Sequence, residues 1–359
     1  MNYNHKINDF KISIFVWLII LTTMVFAIII IGGLTRLTNS GLSMVNWRPI
    51  LGTFPPLNNN EWIYIFDLYK ESPEYLYVNK NMNLAEFKYI FWWEWVHRFI
   101  ARLIGIIFLF PFIYFIIKKQ INIKLISRLI LVFVFGIFQA LVGWWMVKSG
   151  LSENPYVSPY RLTFHLINAL LIYSLLLWTC MDYYYLELNN KINNFNIYEY
   201  FIIVSIILTF ITIISGGFMA GTDAGQSFNT FPLMNGKIFP DDYFLENLGI
   251  FNLFENIIAI NFNHRWLASI TFLYIFSFFL YLLFSKNNKI PNIVVYFVII
   301  ILILQFFLGI LTLLSNVNIN YASLHQTNSV LLISSLLISY HQFKVRKNNN
   351  DQISLFNKT

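Results

Sequence analysis

The stretch Gly32-Gly33-Leu34-Thr35-Arg36-Leu37-Thr38-Asn39-Ser40-Gly41-Leu42-Ser43 returns without a gap as Gly216-Gly217-Phe218-Met219-Ala220-Gly221-Thr222-Asp223-Ala224-Gly225-Gln226-Ser227. Both leading glycines, a threonine, the later glycine and the final serine are kept. Self-similarity of this kind marks an internal repeat, and other landmarks recur around it in the same order. His97-Arg98-Phe99-Ile100-Ala101 matches His264-Arg265-Trp266-Leu267-Ala268, Gln139 and Gly143 match Gln305 and Gly309, and His165 with Asn168 matches His325 with Asn328. The chain therefore reads as two halves, 1–190 and 191–359, built to one plan.

Composition says where such a plan can exist. Hydrophobic residues make up 57% of the 359, charged residues 11%, and there are 37 Phe and 21 Tyr, values outside the range of soluble domains. The net charge of +7 does not imply nucleic acid, because the basic residues sit in short clusters between apolar runs. Cys180 stands alone within an apolar stretch, so neither a disulfide nor a thiolate cluster is available within the chain, and redox chemistry needs a bound cofactor. Only Lys6 and Lys11 precede the first apolar run, without a cleavage site or an Arg-rich presequence, so that run is expected to be retained.

A crossing of the hydrocarbon layer takes about 20 residues, and eight stretches qualify: 13–33, 97–117, 126–147, 163–182, 198–219, 264–284, 291–314 and 323–342. Lys118, Lys119, Lys124 and Arg128, then Lys286 and Lys289, then Lys344, Arg346 and Lys347 place their loops and both termini in the cytoplasm by the positive-inside rule. The loop after the fourth stretch fits less well, since Lys191 is accompanied by Asp182 and Glu187. Four spans per half is an even number, so both halves share one orientation. The expected fold is an all-α polytopic membrane protein whose eight transmembrane helices form two parallel-repeat four-helix bundles.

His97, His165, His264 and His325 each fall at the outer entry of an even-numbered span. Ionisable residues at membrane depth are costly and mark function. Zinc sites need three or four protein ligands, whereas each half offers two imidazoles, the number that ligates a heme iron from opposite sides. Two heme-sized sites follow. His5 and His341, outside the repeat, read as surface residues. Arg98 and Arg265 suit heme propionates or the membrane interface equally. The glycine pairs suit helix packing or close approach to a flat ligand, and Phe91-Trp92-Trp93-Glu94-Trp95 suits an interfacial aromatic belt.

Glu94 breaks the symmetry. It precedes His97 by one helical turn, where the other half has Asn261. A carboxylate there suits a helix N-terminus; in an aromatic, partly dry pocket beside one heme only it can also exchange protons during an oxidation, so one heme is expected to be worked on while the other serves it.

The stretch from Gly32 through Asn46-Trp47 to Phe54-Pro55-Pro56-Leu57, the segment Glu86-Phe87-Lys88-Tyr89-Ile90-Phe91-Trp92-Trp93-Glu94-Trp95-Val96-His97-Arg98, and the pieces Asn263-His264-Arg265-Trp266 and Leu324-His325-Gln326 resemble the heme A synthase family over nearly the whole chain. The resemblance implies oxidation of the C8 methyl of heme O to the formyl of heme A, the cofactor of cytochrome oxidase, by successive hydroxylations. It implies that His264 and His325 are axial ligands of a resident heme b, and that His97 and His165 hold the substrate with Glu94 as catalytic carboxylate. It also implies a bacterial inner-membrane location, heme O synthase and an unidentified electron acceptor as partners, and it leaves homo-oligomerisation open. Many bacterial members carry a cysteine pair in the first outer loop; residues 34–96 have none, as in the subgroup lacking that pair, so a loop disulfide cannot take the electrons. Two other functions fit the residues alone: a diheme b-type electron-transfer protein, and a transporter built from parallel repeats.

Overall fold

A computed structural model describes residues 11–46, 51–152, 154–185, 197–285 and 290–356, without the side chains of 51 and 346–356. The chain is helical, and no strand occurs among the described residues. The helices are α1 (Ile12–Leu37), α2 (Asn59–Lys70), α3 (Pro73–Tyr77), α4 (Leu84–Ile117), α5 (Ile123–Gly150), α6 (Pro159–Tyr184), α7 (Ile197–Gly221), α8 (Asn252–Glu255), α9 (Ile257–Phe284), α10 (Asn292–Leu314) and α11 (Ile319–Phe356).

Seven of these, α1, α4, α5, α6, α7, α9 and α10, are long and apolar enough to cross a membrane. The eighth expected span lies in α11, which is 38 residues long but more polar. That polarity is turned inward. Ser334, Ser335 and Ser339 are buried and return their hydroxyls to carbonyls of their own helix, while α11 packs on α10, α7, α1 and α6. A helix surrounded by protein does not need an apolar surface all round.

Several packing relations recur in the two halves: α1 meets α4 and α6, and α5 meets α6, as α7 meets α9 and α11, and α10 meets α11, whereas the packing of α9 on α10 has no strong counterpart between α4 and α5. Contacts of α6 with α7, of α1 with α11 and of α6 with α11 join the halves. One apolar core gathers Trp17, Leu21, Phe108, Leu129 and Leu176, and another gathers Ile202, Phe279, Val298 and Leu336.

Helix starts differ from the expected ones where capping outruns hydropathy. α4 begins at Leu84 rather than 97, because Asn83 accepts from the amides of Ala85 and Glu86 while Glu86 accepts from the amide of Asn83. This reciprocal box satisfies the orphan donors of a first turn that lies beyond the apolar run. α9 likewise starts at Ile257, under an Asn256 cap. Pro111 lies inside α4 and has no N–H for the carbonyl of Ile107 one turn back. Trp17 of α1 supplies the missing donor, its Nε1 lying 2.8 Å from that oxygen.

His341, expected at the surface, is 1% exposed. Its Nε2 lies 2.8 Å from Oδ1 of Asp182, and Arg128 Nη1 lies 2.5 Å from Oδ2 of the same carboxylate. Trp178 and Tyr185 flank the ring. Position near the end of the chain suggested exposure; a partner on α6 overrides it. Asp182 thus neutralises Arg128 inside the bundle, which accounts for its presence among residues counted as loop charge. His5, Glu187 and Lys191 lie outside the described residues.

Candidate functional site

The four repeated histidines come from four helices, His97 on α4, His165 on α6, His264 on α9 and His325 on α11. His97 and His165 lie within electrostatic reach of one another, and so do His264 and His325. These are the pairs expected from the repeat. All four histidines are half-buried as residues.

Each ring faces a glycine of a neighbouring helix. A Cβ on Gly32 would lie 3.2 Å from Nε2 of His97, and on Gly216 3.3 Å from Cε1 of His264. On Gly143 and on Gly309 it would lie 2.9 Å from Cε1 of His165 and of His325. The second glycine of each pair has a different use. Gly33 makes room for Gln326 of the other half, and Gly217 for Thr163, whose Oγ1 would stand 2.8 Å from an added Cβ. Both glycines of each pair thus serve packing, the first against a histidine ring and the second against a polar side chain.

The second histidine of each pair carries the same polar support. Gln139 Nε2 lies 3.2 Å from Nε2 and 3.1 Å from the carbonyl oxygen of His165, and Asn168 donates to Gln139 Oε1 at 2.6 Å. Gln305 Nε2 lies 3.3 Å from Nδ1 of His325, and Asn328 donates to Gln305 Oε1 at 2.9 Å. Both asparagines also reach a carbonyl one helix away, of Phe135 and of Ile301. Side chains held in this way orient an imidazole that serves as a ligand. Their matched positions were visible in the sequence, but their role was not.

The first histidine of each pair is flanked by an arginine and, one turn earlier, by the residue that differs between halves. Glu94 is 2% exposed. Its Oε2 accepts from Ser43 Oγ at 2.6 Å and from the amide of Met44 at 2.8 Å, and its Oε1 pairs with Arg98. Asn261 has the same surroundings without the charge: its Nδ2 donates to the Ala224 carbonyl at 2.7 Å, and Arg265 Nε donates to its Oδ1 at 2.7 Å. Ser43 and Ser227 are the final serines of the opening repeat, so that motif is the loop that grips this position. Arg265 also donates to the carbonyls of Thr230 and Phe228. The arginines anchor the loops that follow α1 and α7.

The donor set suits a planar ligand that brings its own equatorial nitrogens. Each half offers two imidazoles backed by glycine, and His165 Nδ1 is a buried nitrogen without a hydrogen-bond partner. Among the described residues no three His, Cys, Asp or Glu side chains gather as an all-protein metal site would require. A porphyrin iron needs only axial ligands.

Fold and site together define a multi-pass helical membrane protein with two matched histidine pairs near one end of its bundle. The chain belongs to the cytochrome oxidase assembly protein family COX15-CtaA, which matches residues 15–337. It is 39% identical over 338 residues to the heme A synthase of Nitrosomonas eutropha, covering 92% of this chain and 94% of that one. It is 42% identical over 320 residues to the heme A synthase of Wolbachia pipientis from Culex pipiens, covering 89% and 94%, and 40% identical over 335 residues to that of Granulibacter bethesdensis, covering 93% and 88%.

Proposed function

We propose that this protein is a heme A synthase, which oxidises the C8 methyl of heme O to the formyl group of heme A. The observation that carries the reading is a difference in charge between two similarly built sites, Glu94 against Asn261, each held by a serine-bearing loop and an arginine. The family and the relatives' names support it. In this reading eight spans form two parallel four-helix bundles in a bacterial inner membrane with both termini cytoplasmic. Residues 1–190 hold substrate between His97 and His165, and residues 191–359 hold a resident heme b between His264 and His325. That heme would supply one-electron transfer away from the substrate side. Heme O synthase upstream and a separate electron acceptor complete the chemistry, with self-association compatible.

The chain's own residues have distinct tasks. Gly32 and Gly143 leave the substrate-side imidazoles uncovered, Gln139 with Asn168 orients His165, and Arg98 and Arg265 reach propionates while anchoring the loops. Glu94 would receive a proton released in the oxidation, a role contributing roughly 10²–10⁴-fold to rate. Asn261, neutral, holds its loop without that capacity.

The test is Glu94→Gln in the full protein, expressed with a source of heme O. Glutamine keeps an acceptor for Arg98, whereas alanine would strand a buried cation. The resident-heme spectrum should persist while heme A output falls about a hundredfold. Undiminished heme A would refute the role of Glu94. Fully loaded wild-type protein that makes no formyl porphyrin would instead favour an electron carrier.

A further inference from the structure

The first outer loop folds as a cap on α4. α2 lays Trp62, Phe66 and Tyr69, and α3 adds Tyr75, against Phe87, Ile90 and Phe91 in the turns of α4 that precede Glu94. Inside this apolar cap is a second carboxylate, Glu74, only 6% exposed. Its Oε2 accepts from the hydroxyl of Tyr69 at 2.9 Å, and that hydroxyl in turn accepts from Nδ2 of Asn79 at 2.8 Å. Glu74 forms no ion pair with any lysine, arginine or histidine among the described residues. An acid buried among rings without a cation is a costly way to join two short helices, since an amide would accept the same bond without the desolvation penalty of a charge.

Position gives the acid a use. Glu74 and Tyr69 both lie within electrostatic reach of Glu94. The strand of loop that donates to Glu94 through Ser43 and Met44 continues into Val45 and Asn46, which wall an open cavity together with Glu71, Ser72 and Pro73. Glu74 directly follows Ser72 and Pro73 of the cavity wall in the sequence, and it is hydrogen-bonded to Tyr69 of the cluster on which Met44 and Val45, the loop at Glu94, also pack. Burial pushes its carboxyl up to about 7, with the Tyr69 hydrogen bond opposing and the Glu94 charge adding to the rise. An acid that titrates near neutrality accepts and releases protons with comparable ease.

We propose that Glu74, oriented by Tyr69, is the outer station of a proton path that carries protons from the Glu94 side of the substrate site to water in the cavity beneath the cap. With water supplying the oxygen and the separate electron acceptor of the proposed function taking the electrons, oxidation of a methyl to a formyl group balances as R–CH3 + H2O → R–CHO + 4 H+ + 4 e−, so protons must leave the site. Each moves to the Glu74 carboxylate and then to cavity water; no bond to carbon is made there and no electron passes. The proposal rests on the heme A synthase reading.

The experiment compares wild type, Glu74→Gln and Glu74→Asp as full-length protein in membranes, measuring bound heme and the initial rate of heme A formation from heme O between pH 5.5 and 8.5. Glu74→Gln should keep its heme and lose about tenfold in rate, less than the roughly hundredfold of a group acting on substrate directly. The wild-type rise in rate through about pH 7 should vanish in this variant and return in Glu74→Asp. An unchanged rate and pH profile in Glu74→Gln overturns the proposal, and so does parallel loss of bound heme and rate, which marks a structural tie. Wild type that makes no heme A overturns the functional reading itself, a distinguishable outcome.

Discussion

Replacing Gly309 by alanine tests whether the glycine facing each histidine matters for ligation. The new Cβ would stand 2.9 Å from Cε1 of His325, with Nδ1 at 3.5 Å and Nε2 at 3.6 Å. Carbon atoms pack best at about 3.5–4.0 Å, so the overlap is about 0.6–1 Å. The ring can relieve it only by turning, which misaims the nitrogen and breaks the 3.3 Å contact with Gln305. Overpacking costs about 1–3 kcal/mol, while alanine returns about 1 kcal/mol of helix propensity. A net loss of up to about 2 kcal/mol, falling on ligation, weakens heme retention by up to roughly 30-fold. The assay is the heme-to-protein ratio and visible spectrum of purified protein through successive detergent washes. Gly136→Ala is the control, because a Cβ there meets nothing within 4 Å. Gly143→Ala should leave the resident-heme spectrum intact and lower heme A production, separating the two pairs. If Gly309→Ala retained heme and spectrum like wild type, the ring-glycine argument would be refuted.

Asp182→Asn strands Arg128 next to a buried His341, and a broken buried pair costs about 3–5 kcal/mol; thermal denaturation should begin markedly earlier, and an unshifted transition would show that the inner cluster contributes little. Gln305→Ala should weaken heme retention by roughly 10–100-fold, as loss of a ligand's orienting partner does, with Gln139→Ala affecting heme A output instead; equal effects on both readouts would contradict two separate sites. Glu74 also links the cap to pH. Its carboxyl is raised from 4.5 to about 7, so the protonated form favours the folded cap, fully below about 4.5, and this stability is lost as pH rises through 7, up to about 3 kcal/mol. Proteolysis within 59–77 should speed up from pH 6 to pH 8 in wild type relative to Glu74→Gln; identical pH dependence in the two would count against it.

The histidine pairs and the Glu94–Asn261 difference were legible because spacing and repetition survive in one dimension. The start of α4 was legible too, in Asn83 and Glu86, but a boundary drawn on hydropathy passes over a cap that lies outside the apolar run. The glycine-to-histidine contacts were not, since they depend on how neighbouring helices rotate against each other. His341 was misread for a related reason: its partner Asp182 is 159 residues away on another helix. Glu74 lies in a segment rich in aromatic residues, Trp62 to Tyr77, but which of those rings close over it depends on how α2 and α3 fold back on α4.

The contact between Gln326 and the carbonyl of Ile29 spans 297 residues, tying the first long helix to the last. During synthesis, α1 can settle against α4 and α6 as soon as they enter the membrane, completing the surroundings of His97 and His165. The side of α1 notched at Gly33 must wait for α11. Biogenesis is therefore ordered: the pair at His264 and His325 is finished last, and a chain arrested before residue 319 would leave the insertion machinery with one complete histidine pair and an open seam along α1.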